Sequence, residues 1–300
     1  MERVEFARVG PPSVLRLVDA PTPVPGPGAV LVRVRAAGVQ PYDVKVRRGD
    51  LAVPLPYCPG NDLAGTVAAV GPDAAGWAVG DEVLGFVDSG GYASHALVPA
   101  DRLAARPAGL DPVAAGALSA SGQTADLALD ALGVGPGETV LVHAAAGGVG
   151  TMAVQLAVAR GAAVIGTAGP ANHDHLRALG ATPVAYGEGL AERVRAAAPG
   201  GVDAALDAAG RGALAPSLEL VADRDRVLTI ADFAGAAELG VRTLRGARTG
   251  ARLARLAALA AAGELRVAIR ATFPLAEAAA AHALVEAGHG RGKVVLLPPA

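Results

Sequence analysis

The sequence predicts an α/β protein in which a doubly wound parallel sheet follows a β-rich unit, and three observations predict it. An apolar, β-branched run, Thr139-Val-Leu-Val-His143, leads directly into the glycine cluster Ala144-Ala-Ala-Gly-Gly-Val-Gly150 and then into an alanine-rich helical pattern from Thr151 to Arg160. From residue 138 onward strand-like and helix-like segments alternate, as a parallel sheet with helices on its faces requires. Before residue 111 the segments are short, β-like and divided by Gly71-Pro72, Gly80-Asp81 and Gly90-Gly91, the spacing of a barrel-like unit.

The elements follow in order. Residues 1 to about 30 carry Pro11-Pro12 and a proline-rich turn ending at Gly28 and read as loop; Ala29 to Ala36 then alternates as a strand. Further β segments are Gly65–Val70, Glu82–Val87 and Tyr92–Val98. Alanine runs from about 111 are helix-compatible. In the alternating region the strands are 139–145, 162–167, 202–206 and 226–231, with helices 149–160, 172–179, 189–198 and 212–222. A helix at about 248–262, a strand at 266–272, a helix at 275–288 and a strand at 293–297 close the chain. The parallel sheet already has its strands, so this tail is expected back on the β-rich unit. The predicted organisation is a discontinuous β-rich domain, 1–119 and 264–300, around a sheet domain, 120–263.

Composition narrows the function classes. With 52% apolar and 18% charged residues the 300-residue chain reads as globular, and a formal charge of −2 with 3% aromatic residues offers no basic stripe or stacking platform for nucleic acid. No leader-like segment is read at the N-terminus, and Leu253–Ala262 is too short and too charged to span a bilayer, so a cytoplasmic protein is expected. Cys58 is the only cysteine, which excludes an intrachain disulfide and any cysteine-rich metal site.

The spacing Ala145-x-Gly147-x-x-Gly150 is a dinucleotide fingerprint with alanine in the first place. Gly147 lets the backbone approach a pyrophosphate, Gly150 lets the helix lie close on the sheet, and the amides of Gly148, Val149 and Gly150 would face the phosphates. A site that prefers NAD places Asp or Glu about 20 residues further on. Here no acidic residue lies between Glu138 and Asp174, which favours NADPH. The second strand ends in a turn bordered by Thr167 and Gly169, beyond which Asn172, His173, Arg177 and Tyr186 are the candidate phosphate partners. Asn172 reads equally as a helix N-cap and Arg177 as part of a solvated helix face. Ile230 and Ala231 end a strand at the carboxyl edge, where open α/β sheets bind ligands.

The order of further motifs, Ala36-Ala-Gly-Val-Gln-Pro-Tyr-Asp43, Pro59-Gly-Asn-Asp-Leu-Ala-Gly65, Gly80-Asp81, Gly91-Tyr-Ala, Gly122-Gln-Thr-Ala125, the fingerprint and Gly292-Lys-Val-Val-Leu296, resembles the medium-chain dehydrogenase/reductase superfamily, and within it the zinc-independent quinone oxidoreductase-like branch. That resemblance implies a GroES-like partial barrel, a Rossmann domain, a site in the cleft between them and a homodimer. Zinc-dependent relatives use a cysteine near position 40 and Gly-His-Glu near 60; this chain has Val39-Gln40 and Asn61-Asp62, so no metal is expected.

The resemblance further implies that Gln40 stands where the family commonly faces nicotinamide and substrate with an asparagine. Its amide is the first candidate to polarise the acceptor oxygen, followed by Tyr42 and Tyr57 as phenol donors, although each tyrosine also reads as a half-buried loop aromatic. Thr124 is expected at the cofactor and Lys293 either at the cofactor or as a plain strand lysine. The tyrosine common after the Arg-x-Gly turn is Leu51 here, and Asp126 replaces an aromatic. His95, His282 and His289 lack metal-ligand spacing and read as structural or surface residues; Cys58 reads as a small buried hydrophobe. The expected activity is hydride transfer from NADPH to a small electrophile, a quinone or an α,β-unsaturated carbonyl compound. A tailoring reductase on an enoyl or imine intermediate and a non-catalytic NADPH sensor are the alternatives.

Overall fold

The computed structural model describes residues 1–288 and 290–299, so the reading of His289 lies outside the described residues. The chain divides into two compact units, one of Met1–Gln123 joined by the chain from Arg248 onward, the other of Thr124–Ala247.

In the first unit β1 (Glu2–Glu5) and β2 (Arg16–Asp19) form an antiparallel pair where the sequence reads as loop. Between them the two strands bury only Val4, so no apolar alternation marks them. β3 (Ala29–Val39) does alternate, with Val32 and Val34 buried on either side of exposed Arg33. It ends at a helix absent from the expected elements, α1 (Pro41–Arg48), which starts with proline at its first position and ends on Gly49 in the left-handed conformation. There follow β4 (Asp62–Val70), β5 (Glu82–Phe86), β6 (His95–Pro99), β7 (Leu103–Ala105), the short α2 (Pro112–Ala115) and α3 (Ser119–Leu132).

From Thr124 the chain belongs to the second unit. Its elements are β8 (Thr139–His143), α4 (Gly148–Ala159), β9 (Ala163–Thr167), α5 (His173–Ala178), β10 (Thr182–Val184), α6 (Leu190–Ala197), β11 (Ala204–Asp207), α7 (Leu214–Leu220), β12 (Val227–Thr229), α8 (Phe233–Leu239) and β13 (Arg242–Thr243). The sheet order is β10-β9-β8-β11-β12-β13 with every pairing parallel, the doubly wound arrangement of a Rossmann domain. Its order reverses between β8 and β11, which sets the topological switch point at the ends of those two strands. The four longer-read strands match β8, β9, β11 and β12. The sequence reading misses β10 and β13, which span only three and two residues and lie on the sheet edges.

The chain then returns to the first unit through α9 (Gly250–Ala261), β14 (Ile269–Pro274), α10 (Ala278–Glu286) and β15 (Lys293–Leu297). β15 pairs antiparallel with β3 and parallel with β14, giving the order β14-β15-β3-β4-β5-β7 with β6 also on β3. The tail thus rejoins the GroES-like β-rich sheet. α9, expected in the sheet domain, also packs here: a Cβ at Gly250 would lie 2.5 Å from the Leu103 carbonyl and 2.6 Å from that of Asp101. Val30, Val32, Leu63, Val83, Val98 and Leu296 centre the first core, and Leu141, Ile165, Ala205 and Val227 the second.

Candidate active site

The glycine loop follows from close backbone packing. Ala144 turns the chain off β8 with φ of +51°, and its carbonyl accepts from the Gly147 amide at 2.9 Å. A Cβ on Gly150 would stand 2.2 Å from that same carbonyl oxygen, so only glycine lets α4 start this close to the strand. Thr167 at the end of β9 holds the other side: its Oγ1 accepts from the Ala144 amide at 3.2 Å and its carbonyl from the Ala145 amide at 3.0 Å. Ala145 is fully buried beneath the turn. The first-turn amides of α4, those of Gly148, Val149 and Gly150, have no intrahelical acceptor and carry the positive end of a twelve-residue helix. This cradle fits a pyrophosphate.

Beyond β9 the turn holds no carboxylate up to Asp174. Tyr186 is 59% exposed and its hydroxyl lies 3.7 Å from where a Cβ on Gly169 would be. His173 Nε2 is 3.2 Å from the Ala168 carbonyl. Gly169 and His173 thus flank the turn after β9, and Tyr186, just past β10, stands against Gly169. Asn172 occupies the N-cap position of α5 but its side chain makes no cap bond, so the N-cap reading loses its mechanism. Arg177 is ion-paired at 2.6 Å with its helix neighbour Asp174, both exposed, an arrangement that agrees with the solvated-face reading. Thr124 lies half-buried on α3.

The next strand ends are tied together. Asp207 Oδ1 accepts from the amides of Ala209 and Gly210, both at 2.8 Å, and its Oδ2 from Thr229 Oγ1 at 2.7 Å. Thr229 Oγ1 in turn accepts from the amides of Ala231 and Asp232 at 3.0 Å. The backbone of Ile230 and Ala231 is thereby fixed just past β12, two residues earlier than the strand end expected from the sequence. His143, the last residue of β8, is buried, and its ring lies 2.8 Å from Ser217 Oγ. Burial holds its imidazole down to about 4, Asp207 opposing.

In the first unit the sequence-predicted Gln40 and Lys293 meet. Lys293 Nζ donates to Gln40 Oε1 and, at 2.9 Å, to Ser121 Oγ. Gln40 Nε2 donates to Asp62 Oδ2 at 2.8 Å, which also accepts from the Ala120 amide at 2.8 Å; Asp62 Oδ1 accepts from Arg248 at 3.1 Å. Lys293, the first residue of β15, is 5% exposed, and its ammonium is engaged by side chains of the same unit, which a plain strand lysine would not be. Burial raises the Asp62 carboxyl above its ordinary value, Arg248 and Lys293 opposing. Beside it, Asp43 accepts from the Gln40 amide at 2.8 Å, from Gly60 at 3.2 Å and from the Tyr92 hydroxyl at 3.0 Å; burial brings its carboxyl to about 6. The Tyr92 hydroxyl lies 3.3 Å from Nε2 of His282, which reads correctly as structural.

Tyr42 is 43% exposed. Tyr57 is half-buried, its ring 5.7 Å from that of Phe6, and desolvation with Tyr42 and Asp43 nearby pushes its phenol up to about 12, a neutral donor. Cys58 is partly buried, and its thiol is pushed up to about 12, mainly by burial, which favours the thiol over the thiolate. The sequence reading misses Asp62 as a partner of Gln40, Ser121 as a partner of Lys293 and Arg248 as a partner of Asp62. Only Asp62 stood in a quoted motif; Arg248 is 186 residues from it in the chain.

Among the described residues no group of three or more His, Cys, Asp and Glu side chains could hold a metal ion. The pair Gln40 and Asp62 does not fit zinc either, since an ammonium and a guanidinium already stand on it.

Residues 26–108 match the alcohol dehydrogenase GroES-like domain family and residues 179–296 the zinc-binding dehydrogenase family. A probable quinone oxidoreductase of Schizosaccharomyces pombe is 33% identical over 98% of this chain and 96% of its own length. The Escherichia coli quinone oxidoreductase, solved complexed with NADPH, superposes with a TM-score of 0.88 at 27% identity, covering 99% of this chain and all of its own. The erythronolide synthase EryA2 of Saccharopolyspora erythraea is 37% identical over 91% of this chain, a match that spans 8% of that protein.

Proposed function

Since this chain belongs to the quinone oxidoreductase family of the medium-chain dehydrogenase/reductase superfamily, we propose that it is a zinc-independent, NADPH-dependent oxidoreductase that reduces a quinone or an α,β-unsaturated carbonyl compound. The observation that carries this reading is the cradle at Ala144–Gly150 beside a second strand whose end bears no carboxylate. The amides of Gly148, Val149 and Gly150 would hold the pyrophosphate, while Gly169, Asn172, His173 and Tyr186 leave the 2′ position free of repulsion. NADPH, when bound, supplies the hydride.

The chain's own part is to bind, orient and polarise. Quinones and enones are already electrophilic, so neutral hydrogen-bond donors suffice, and Gln40, Tyr42 and Tyr57 are the donors assigned to the acceptor oxygen. Tyr57 keeps its proton across the physiological range, so it polarises and does not act as a base. The absence of a tyrosine at Leu51 leaves solvent as the proton source. Among the described residues no helix is long and apolar enough to cross a membrane. A cytoplasmic homodimer is the assembly and compartment that go with this reading.

The test follows NADPH absorbance at 340 nm with an ortho-quinone, with NADH in parallel and a chelator present. Turnover that survives the chelator and is faster with NADPH is the expected result. NADPH binding without turnover overturns quinone reduction. It favours the second reading, a tailoring reductase acting on an enoyl or imine intermediate, for which the erythronolide synthase match speaks; a non-catalytic NADPH sensor would bind and never turn over.

A further inference from the structure

The Gln40 side chain lies between two groups that hydrogen-bond in opposite senses. An ammonium only donates and a carboxylate only accepts, so Lys293 takes the amide oxygen and Asp62 the amide nitrogen. The oxygen and nitrogen of an amide are otherwise interchangeable in shape, and here the partners dictate which is which. Each partner is itself anchored. Lys293 has Ser121; Asp62 has the Ala120 amide at the start of α3 and the Arg248 guanidinium, which lies 4.6 Å from the centre of the Phe86 ring. With donors on both of its oxygens Asp62 is a carboxylate. Gln40, Asp62, Ser121 and Lys293 are all at least nine-tenths buried.

Such a network is a poor way to gain stability, because well-packed apolar side chains of similar volume do as well or better than buried ion pairs. What it does produce is one direction for one amide. Nε2 of Gln40 carries two N–H groups, and the bond to Asp62 uses one.

We infer that Lys293 is a positioning residue for the reaction: together with Asp62 it locks the Gln40 amide so that the remaining N–H stands as a fixed, neutral donor to the oxygen of the electrophilic substrate. The inference rests on the proposed role of Gln40 as polariser. It brings a residue 253 positions away in the chain into that role, although its ammonium contacts neither substrate nor cofactor in this assignment.

The test uses the full chain, labelled with 15N-glutamine. The protein has three glutamines, Gln40, Gln123 and Gln155, so the side-chain amide spectrum is simple and Gln40→Ala identifies its pair. In the wild type that pair is expected to be slow to exchange; in Lys293→Met it shifts and exchanges quickly. With an ortho-quinone and NADPH, Lys293→Met is expected to lower kcat about 10-fold or more while KM for NADPH stays within about twofold, and Lys293→Met with Gln40→Ala is no slower than Gln40→Ala alone. An unmoved Gln40 amide in Lys293→Met, an unchanged kcat, or losses that multiply in the double variant each overturn the assignment. If Lys293→Met does not fold, Ser121→Ala keeps every charge and removes only the hydroxyl anchoring Lys293: a perturbed Gln40 amide supports the inference and an unperturbed one overturns it. The amide readout needs no turnover, so failure of quinone reduction and failure of the Lys293 assignment are separate results.

Discussion

Gly150 faces the carbonyl oxygen of Ala144 so closely that a Cβ would come within 2.2 Å of it and within 2.7 Å of the Ala145 Cα. Both obstacles are backbone, so Gly150→Ala can be accommodated only by displacing the turn that places the α4 amides. The expected outcome is a Kd for NADPH raised at least about 10-fold, or about 1.4 kcal/mol, with a lowered Tm. Gly147→Ala meets the same carbonyl at 3.2 Å, a milder approach, and is expected to weaken binding less. Titration of NADPH fluorescence against the two variants checks the order; equal effects would separate the loop's glycines from this packing argument.

Cofactor choice can be tested in the opposite direction, by adding a group. A side chain at Gly169 would meet only the Tyr186 ring edge and hydroxyl, at 3.9 and 3.7 Å, and its φ of −68° suits any residue. Gly169→Asp therefore places a carboxylate at the end of β9 without strain. It would repel a 2′-phosphate and accept from a ribose hydroxyl, and the ratio of kcat/KM for NADH over NADPH is expected to rise about 10- to 100-fold. A ratio that stays put would place the discriminating contact elsewhere.

The parallel sheet was legible because its strands are buried and β-branched and its helices are amphipathic or alanine-rich, whereas β1 and β2 were not, since an edge pair that buries little shows no period. α1 illustrates a different failure: its proline at the first position, Asp43 in the first turn and Gly49 at the end are all helix signals, but an eight-residue element leaves few turns in which a period can repeat. The identity of Gln40 as a site residue came through a motif. Asp62 and Lys293 also stand in quoted motifs, but their pairing with Gln40 was not legible, because a sheet pairing brings Lys293 to it and a chain return brings Arg248 to Asp62, neither of which a local pattern encodes. For the same reason the two readings of Lys293, at the cofactor or as a plain strand lysine, did not include its bond to the Gln40 amide.

The fold's dependence on that chain return is measurable at Arg47. This residue of α1 is 1% exposed, donates to the Gly10 carbonyl at 2.6 Å and pairs at 2.6 Å with Glu286, the last residue of α10. Glu286→Ala leaves a buried guanidinium without its carboxylate and is expected to cost about 3 kcal/mol. The Arg195–Glu219 pair is slightly shorter still, 2.5 Å, but both side chains are about half exposed, at 51% and 53%; Arg195→Ala is expected to cost less than about 1 kcal/mol. Urea unfolding of the two variants, compared with the wild type, checks the contrast, and similar losses would refute it.

The pH dependence of stability follows from histidines kept neutral. His143 falls from its ordinary 6.5 to about 4, because burial disfavours the imidazolium more than Asp207 favours it. Between those values the unfolded chain binds a proton that the folded chain does not, so stability rises with pH: the contribution is whole above 6.5 and is lost as pH falls toward 4. His282, brought to about 3 by burial and Arg47, acts with the same sign. Asp43, raised to about 6, acts with the opposite one, stabilising below its unfolded value and losing that as pH rises through 6. The net slope mixes all three, so the clean measurement is a difference. His143→Asn keeps a donor for Ser217 and removes the titration; the stability gap between wild type and variant, read from urea midpoints, is expected to narrow by about 2.5 kcal/mol between pH 7 and pH 4.5. A gap that does not change with pH would mean that His143 takes up its proton as readily folded as unfolded.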